Sequence, residues 1–298
     1  LAILETNSLT KKYRRITALD QLNLIVEPGM VFGMLGPNGS GKTTTLGLLL
    51  DVLKPTSGSY RWFGEEPSAN SRKKIGAILE SPCFYPFMTA TQNLKVVASI
   101  KECPPTQIER VLKMVGLWER RDDPFKTYSL GMKQRLAIGS ALLSDPAVLI
   151  LDEPTNGLDP MGIFDIRQLI RDIAAMGKTI MVASHLLDEV QKVCSHFMVL
   201  QKGTKLFQGS VDEALGDQRT IEVASDEHEL LGRHLAELAG VDKLTFEEGV
   251  YKITPGADLN TQAVNRFLFD RNMVAHHLVE KGGDLEQQFL KILSDQGA

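Results

Sequence analysis

Residues 30–35, Met-Val-Phe-Gly-Met-Leu, carry no charge and run straight into Gly36-Pro37-Asn38-Gly39-Ser40-Gly41-Lys42-Thr43. An apolar run bounded by Pro28-Gly29 on one side and a glycine cluster on the other reads as a buried strand. Helix character follows at once over Thr44–Leu53, stopped by Lys54-Pro55. Strand, glycine-rich turn and helix in that order form half of a βαβ unit. That unit belongs to parallel sheets covered on both faces, so it restricts the fold severely. The octapeptide also fits G-x-x-x-x-G-K-[ST]. Such a loop converges backbone N–H groups on phosphate oxygens, and the following helix adds its positive N-terminal dipole. Gly36, Pro37, Asn38, Gly39, Ser40, Gly41, Lys42, Thr43 and Thr44 are therefore the expected nucleotide-binding residues. Lys42 is expected to reach the β and γ phosphates and Thr43 to ligate Mg²⁺.

The rest of the chain fits the same architecture. Ile3–Leu9, Leu22–Val26, Ser59–Phe63 and Lys74–Leu79 read as strands, whereas from about Thr89 to Leu143 the apolar spacing turns helical. Strands and helices then alternate: Ala147–Leu151, Gly162–Met176, Thr179–Ala183, Leu186–Val193 and His196–Leu200. A doubly wound parallel sheet is expected. A short strand Lys205–Phe207 and a helix from Val211 end a first domain, 1–216. Residues 217–298 have their own order. It runs strand Thr220–Val223, helix Glu227–Leu238, hairpin Lys243–Phe246 with Val250–Ile253, helix Thr261–Asp270, strand Val274–Leu278 and helix Leu285–Leu293. This βαββαβ order implies a small α+β, ferredoxin-like accessory domain.

Composition removes several classes. Of the 298 residues, 43% are hydrophobic and 23% charged, as in ordinary globular chains. The longest uncharged stretches reach only ~14 residues, short of the roughly 20 that span a bilayer. The first residues have neither a basic flank nor a long apolar core, so no export signal is expected. Cys83, Cys103 and Cys194 lie far apart without a CxxC pair, which argues against a disulfide framework or zinc site. The net charge of −4 divides into about +5 before residue 211 and about −9 after it. Neither part has the concentrated positive charge that nucleic-acid binding requires.

Two further segments carry chemistry. Val148–Leu151 is an apolar run ending in Asp152-Glu153. At the carboxyl end of a parallel strand beside a phosphate loop, Asp152 is placed to hold Mg²⁺, directly or through water, and Glu153 to polarise an attacking water. The alternative is a strand-end pair capping the turn Pro154-Thr155-Asn156-Gly157. Tyr128-Ser129-Leu130-Gly131-Met132-Lys133-Gln134-Arg135 opens a helix with Ser129 as a good N-cap.

With these motifs in this order, residues 3 to about 210 resemble the nucleotide-binding subunit of ABC transporters. The resemblance implies an α/β P-loop ATPase with a RecA-like parallel core, an antiparallel β subdomain and a helical subdomain at about 89–143. In that family the Tyr128–Met132 segment is the signature, usually LSGGQ. Here the serine and the second glycine stand and the other three positions depart. Ser129, Leu130, Gly131 and Met132 are then implied to contact ATP held by a second subunit. Tyr13 matches the aromatic platform for adenine, although a single Tyr also serves as packing. Asp159, in Asn156-Gly157-Leu158-Asp159, matches the loop that touches the opposite subunit. His185, which otherwise reads as a surface residue, matches the switch histidine at the γ-phosphate. Lys42, Glu153 and His185 are thus the implied catalytic set.

Glu80 stands where the family usually has Gln. Glu keeps an oxygen ligand for Mg²⁺, loses the amide donor and adds charge. With Ile75-Gly76-Ala77-Ile78-Leu79 before it and Ser81-Pro82 after it, Glu80 resembles the branch exporting bacitracin-type and lantibiotic peptides, and is the expected coupling residue. A surface turn is the other reading. Phe84, Tyr85, Phe87 and Met88 follow; in the family this region seats a helix of the membrane subunit, but such residues also pack a helical subdomain. The resemblance implies ATP and Mg²⁺ as cofactors, a second ATPase subunit in a homodimer, integral membrane permease subunits as partners and no nucleic acid. It places the chain on the cytoplasmic side of the membrane, peripheral through the permease.

Rival ATPases fit less well. Chromosome-maintenance and DNA-repair relatives insert a long coiled coil between phosphate loop and signature, and no long heptad run lies between Lys42 and Ser129. Translation-associated ones carry two cassettes per chain, and this chain has one set of motifs. Importer subunits usually extend into a barrel, and the βαββαβ tail points to export instead. Glu153 and His185 argue against a sensor that does not hydrolyse.

Overall fold

In the computed structural model, residues 1–79, 83–215, 220–256 and 259–281 are described. The chain begins with strands β1 (Leu4–Tyr13), β2 (Ile16–Val26) and β3 (Val31–Leu35), then helix α1 (Lys42–Leu49) and strand β4 (Ser57–Trp62). Helix α2 (Ala69–Lys73) and strand β5 (Ile75–Ile78) lead into helices α3 (Ala90–Ile100), α4 (Thr106–Met114) and α5 (Leu130–Leu142). Then come β6 (Val148–Asp152), α6 (Pro160–Ala175), β7 (Thr179–Ser184), α7 (Leu187–Val193), β8 (His196–Gln201), β9 (Thr204–Ser210) and α8 (Val211–Leu215).

Six of these strands form one sheet in the order β5-β6-β7-β3-β8-β9, parallel except for the antiparallel edge strand β9. Every residue of β3, β6 and β7 is buried. Burial on both faces is why these strands read as unbroken apolar runs rather than as alternation. The helices show the complementary pattern. In α6, Ile166, Leu169, Ile170 and Ile173 turn inward at helical spacing, with Asp159 as N-cap and Pro160 in the first turn. A second sheet, β2-β1-β4, is antiparallel and shares its core with the first. Trp62 is buried there, and its indole N–H donates to the carbonyl of Leu49 at 2.8 Å.

One helix end and one additional helix differ from expectation for local reasons. The first helix stops at Leu49 rather than Leu53. Asp51 is left-handed (φ 60°), its amide bonds the carbonyl of Leu48, and the amide of Val52 bonds that of Gly47. This is a Schellman stop, and Asp fills the left-handed position more often filled by Gly. Helix α2 has no long apolar periodicity in the sequence and rests on the Ser68–Ser71 capping box.

The chain divides into two compact units, Leu1–Val211 and Asp212–Ala298. The second holds β10 (Thr220–Ala224), α9 (His228–Ala236), β11 (Val241–Glu247), β12 (Val250–Pro255), α10 (Thr261–Phe269) and β13 (His277–Lys281). Its sheet order is β11-β12-β10-β13, antiparallel throughout. That is the ferredoxin-like order, each split βαβ leaving room for a strand of the other. The last strand starts at His277 rather than Val274. Met273 turns back to bond the carbonyl of Leu268 at 3.0 Å, which leaves Val274 exposed ahead of the sheet. Glu80 and the expected helix Leu285–Leu293 lie outside the described residues.

Candidate nucleotide site

The sheet order brings the chemistry together. Leu35 at the end of β3 pairs with Ser184 at the end of β7, and Ala183 pairs with Asp152 at the end of β6. The three loops that follow these strands therefore emerge side by side at the carboxyl edge, where open α/β sheets bind ligands. They carry Gly36–Thr43, Glu153 and His185.

Two glycines show why the first loop needs its composition. A Cβ on Gly36 would lie 2.3 Å from the carbonyl oxygen of Leu200, and Gly41 (φ 111°) would put one 2.6 Å from that of Ala18. The first helical i→i−4 bond is made by Thr45 to Gly41, so the amides of Lys42, Thr43 and Thr44 precede the ladder and face outward from its end. Ser40 Oγ is buried against Gly36 without a hydrogen-bond partner among the described residues. A loop with these donors and this orphaned hydroxyl fits a phosphate chain.

Side chains complete the site. Lys42, only 5% exposed, donates to the carbonyls of Gly36 (2.7 Å) and Pro37 (3.4 Å), and its Nζ lies 3.3 Å from Glu153 Oε1. The other carboxylate oxygen, Glu153 Oε2, is 2.8 Å from His185 Nδ1. Thr43 Oγ1 donates to Asp152 Oδ2 at 3.0 Å. Glu153 is left-handed (φ 48°), held by its amide on the carbonyl of Ala183 and by Asn156 on its own carbonyl. An L residue retained there is the kind of local strain that functional positions store.

Asn38–Thr44 and Glu153 line a cleft of about 430 Å³, together with Ile16, Thr17, Ala18 and Lys202. Tyr13 is not in that lining. It sits at the end of the β1–β2 hairpin, 43% exposed, with Lys11 Nζ 5.0 Å above its ring, and its cross-strand partner is Ile16. The four lining residues outside the phosphate loop and Glu153 carry no motif and were not legible in the sequence.

The signature segment is elsewhere. Ser129–Met132, Gly157–Asp159, Met161 and Arg135 help to line a separate concavity of about 400 Å³ that shares no residue with the cleft. Ser129 Oγ accepts from the amide of Met132 at 3.3 Å as the cap of α5, and Leu130 is half exposed. Asp159 accepts from the amide of Gly162 at 2.9 Å as the cap of α6. The aromatic loop after Glu80 divides. Phe84 packs edge-on to Phe125, whereas Tyr85 (58%) and Phe87 (80%) are exposed. Buried Asn93 pins this loop, accepting from the amide of Tyr85 and donating to the carbonyls of Tyr85 and Met88.

No helix among the described residues is long and apolar enough to cross a membrane. The family model described as ABC transporter matches residues 19–156. The chain is 38% identical over 287 residues to the bacitracin transport ATP-binding protein BcrA of Bacillus licheniformis, covering 86% of this chain and 94% of that one. It is 39% identical over 210 residues to the lantibiotic transport ATP-binding protein SrtF of Streptococcus pyogenes, covering 70% and 92%. Among solved structures, cbiO1 of Clostridium perfringens, part of an ABC transporter complex, superposes with a TM-score of 0.66 at 30% identity, over 80% of this chain and 99% of that one. With the phosphate loop, the paired acids and the strand-end histidine on one sheet edge, the chain belongs to the ATP-binding proteins of ABC transporters, ATPases coupled to transport.

Proposed function

We propose that this chain powers an exporter of antimicrobial peptides, drugs or similar substrates, working as a head-to-tail pair on membrane permease subunits at the cytoplasmic face. The names of the bacitracin and lantibiotic relatives support the substrate class. The single observation that carries the mechanism is the Glu153 carboxylate, held between Lys42 and His185 at the mouth of the phosphate loop. In this reading Gly36–Thr44 cradle the phosphates of ATP and Lys42 neutralises their charge. Glu153 takes the proton of the attacking water, and His185 holds the γ-phosphate, so hydrolysis is mostly positioning and charge stabilisation. Thr43 and Asp152 offer two hard oxygens side by side, a donor set that suits Mg²⁺ shared with phosphates and waters. When bound, that ion would offset the negative charge of the phosphates. Glu80, in this reading, adds a further oxygen and couples the site to the permease.

Separation of the cleft from the Ser129–Asp159 concavity favours a paired arrangement, in which Ser129, Leu130, Gly131 and Met132 of one subunit close on the ATP of the other. Tyr13, outside the cleft lining but paired across the hairpin with Ile16, which is in it, would stack on the adenine. Exposed Tyr85 and Phe87, on a loop pinned by Asn93, give the permease an apolar foothold. The Glu153→Gln protein tests the core of this reading. It is expected to retain ATP, to lose hydrolysis by at least about 100-fold, and to elute as a dimer with saturating ATP. A monomer with unimpaired turnover would overturn it.

A further inference from the structure

Beneath Glu153 and His185 lies a further acid that no motif announces. Glu189, on α7, is 4% exposed, and its two carboxylate oxygens take different hydroxyls. Oε1 accepts from Thr155 Oγ1, and Oε2 accepts from Ser184 Oγ at 3.1 Å. Ser184 is fully buried and Thr155 nearly so. Ser184 Oγ in turn accepts the amide of Leu186 at 3.0 Å, which fixes the hydroxyl proton toward Glu189.

The placement of these hydroxyls is what matters. Thr155 is two residues after Glu153, and Ser184 is the residue before His185. Glu189 therefore ties together the backbone on both sides of the Glu153–His185 contact. It also reaches the loop of Asp159, because the amide of Leu158 bonds the carbonyl of Thr155 at 3.1 Å. Neighbouring Asp188 shows the ordinary alternative: it is exposed and pairs with Arg167 and Lys192. A carboxylate buried against two neutral hydroxyls costs desolvation that a packing residue of the same size would not.

We propose that Glu189 is a positioning residue of the hydrolytic site, a clamp that sets the distance between Glu153 and His185 and links both to the Asp159 loop. The proposal rests on the reading of Glu153 as base and His185 as γ-phosphate contact. Loss of the clamp leaves the phosphate loop intact and loosens the geometry of water attack, so turnover falls while ATP binding stands. A misplacement of about 1 Å is enough to cost on the order of 100-fold in rate.

The test is steady-state ATPase kinetics on the full chain for Glu189→Ala, Glu189→Gln and Thr155→Val, with nucleotide affinity measured separately by a fluorescent ATP analogue. Glu189→Ala is expected to lower kcat by about 10- to 100-fold with KM and analogue affinity within about threefold. Glu189→Gln keeps an oxygen for one hydroxyl and an N–H for the other, and is expected to restore kcat to within about fivefold of the parent. Thr155→Val combined with Glu189→Ala is expected to be no worse than Glu189→Ala alone. The clamp is overturned if a folded Glu189→Ala protein turns over within twofold of the parent, or if Gln is as damaging as Ala. Should Glu189→Ala not fold, Thr155→Val with unchanged kcat overturns it equally. Glu153→Gln and His185→Ala, measured alongside, separate the two ideas. If they remain active the underlying reading fails, whereas if they are dead and Glu189→Ala is active only the clamp fails.

Discussion

Glu153 and Glu189 are both acids in the same small region, yet only one was legible. Glu153 stands at the end of an apolar strand in a chain with a phosphate-loop motif, and that combination made it a candidate for polarising water. Glu189 follows Asp188 on a short helix, and the two look equivalent in sequence. Helical spacing offered no signal, since Glu189 and Val190 are adjacent on the helix yet both buried, and nothing local says that Thr155 and Ser184 wait there. Cys194 is similar: a lone cysteine in sequence, it is buried under β3 near Glu189. Burial, helped by the Glu189 charge, pushes its thiol up to about 12 from 9.0. The native state thus favours the neutral thiol. This contribution to stability is whole below pH ~9 and is lost as the pH rises toward ~12. Urea midpoints between pH 8 and 11 should fall more steeply for the parent than for Cys194→Ala. At pH 8 a thiol reagent should label exposed Cys83 well before Cys194.

Among the elements, the phosphate loop is the one whose sequence dictates its shape most completely. Two of its glycines abut backbone carbonyls, Gly36 that of Leu200 in β8, with the Ser40 side chain also beside it, and Gly41 that of Ala18. Gly36→Ala should therefore displace β3 from β8 or distort the loop. It is expected to lower stability by about 2 kcal/mol or more and to weaken binding of a fluorescent ATP analogue at least tenfold, checked by denaturant titration and by fluorescence. The helix after the loop illustrates the converse. Its apolar run continues to Leu53, yet the chain leaves the helix at Leu49. The left-handed turn at Asp51 costs little at an Asp, and it brings Leu53 against Gly47 and leaves the Leu49 carbonyl to Trp62. Periodicity sees apolar residues continuing; it does not see which partner claims the last carbonyls.

At the scale of the whole molecule, two units each hold their own apolar core. That of the second includes Ile221, Val223, Leu231, Leu235, Ile253, Val264 and Leu268, all essentially inaccessible. Leu231→Ala should cost that unit about 2–5 kcal/mol, measured by calorimetry, while the fluorescent ATP analogue binds as before. The sequence by itself determined the strand–loop–helix of the phosphate site, the alternation that demands a parallel sheet, and the βαββαβ order of the second unit. Each is a local pattern enforced by backbone sterics and by which face of an element must leave water. Tertiary structure alone decided that the loops after β3, β6 and β7 lie side by side, that Glu153 rests between Lys42 and His185, and that Ile16, Thr17, Ala18 and Lys202 wall the cleft. It also decided that Glu189 rather than Asp188 is buried. Those facts depend on how strands and helices pack, which joins Thr43 to Asp152 across 109 positions and His185 to Glu153 across 32 and leaves no trace in any short window of the chain.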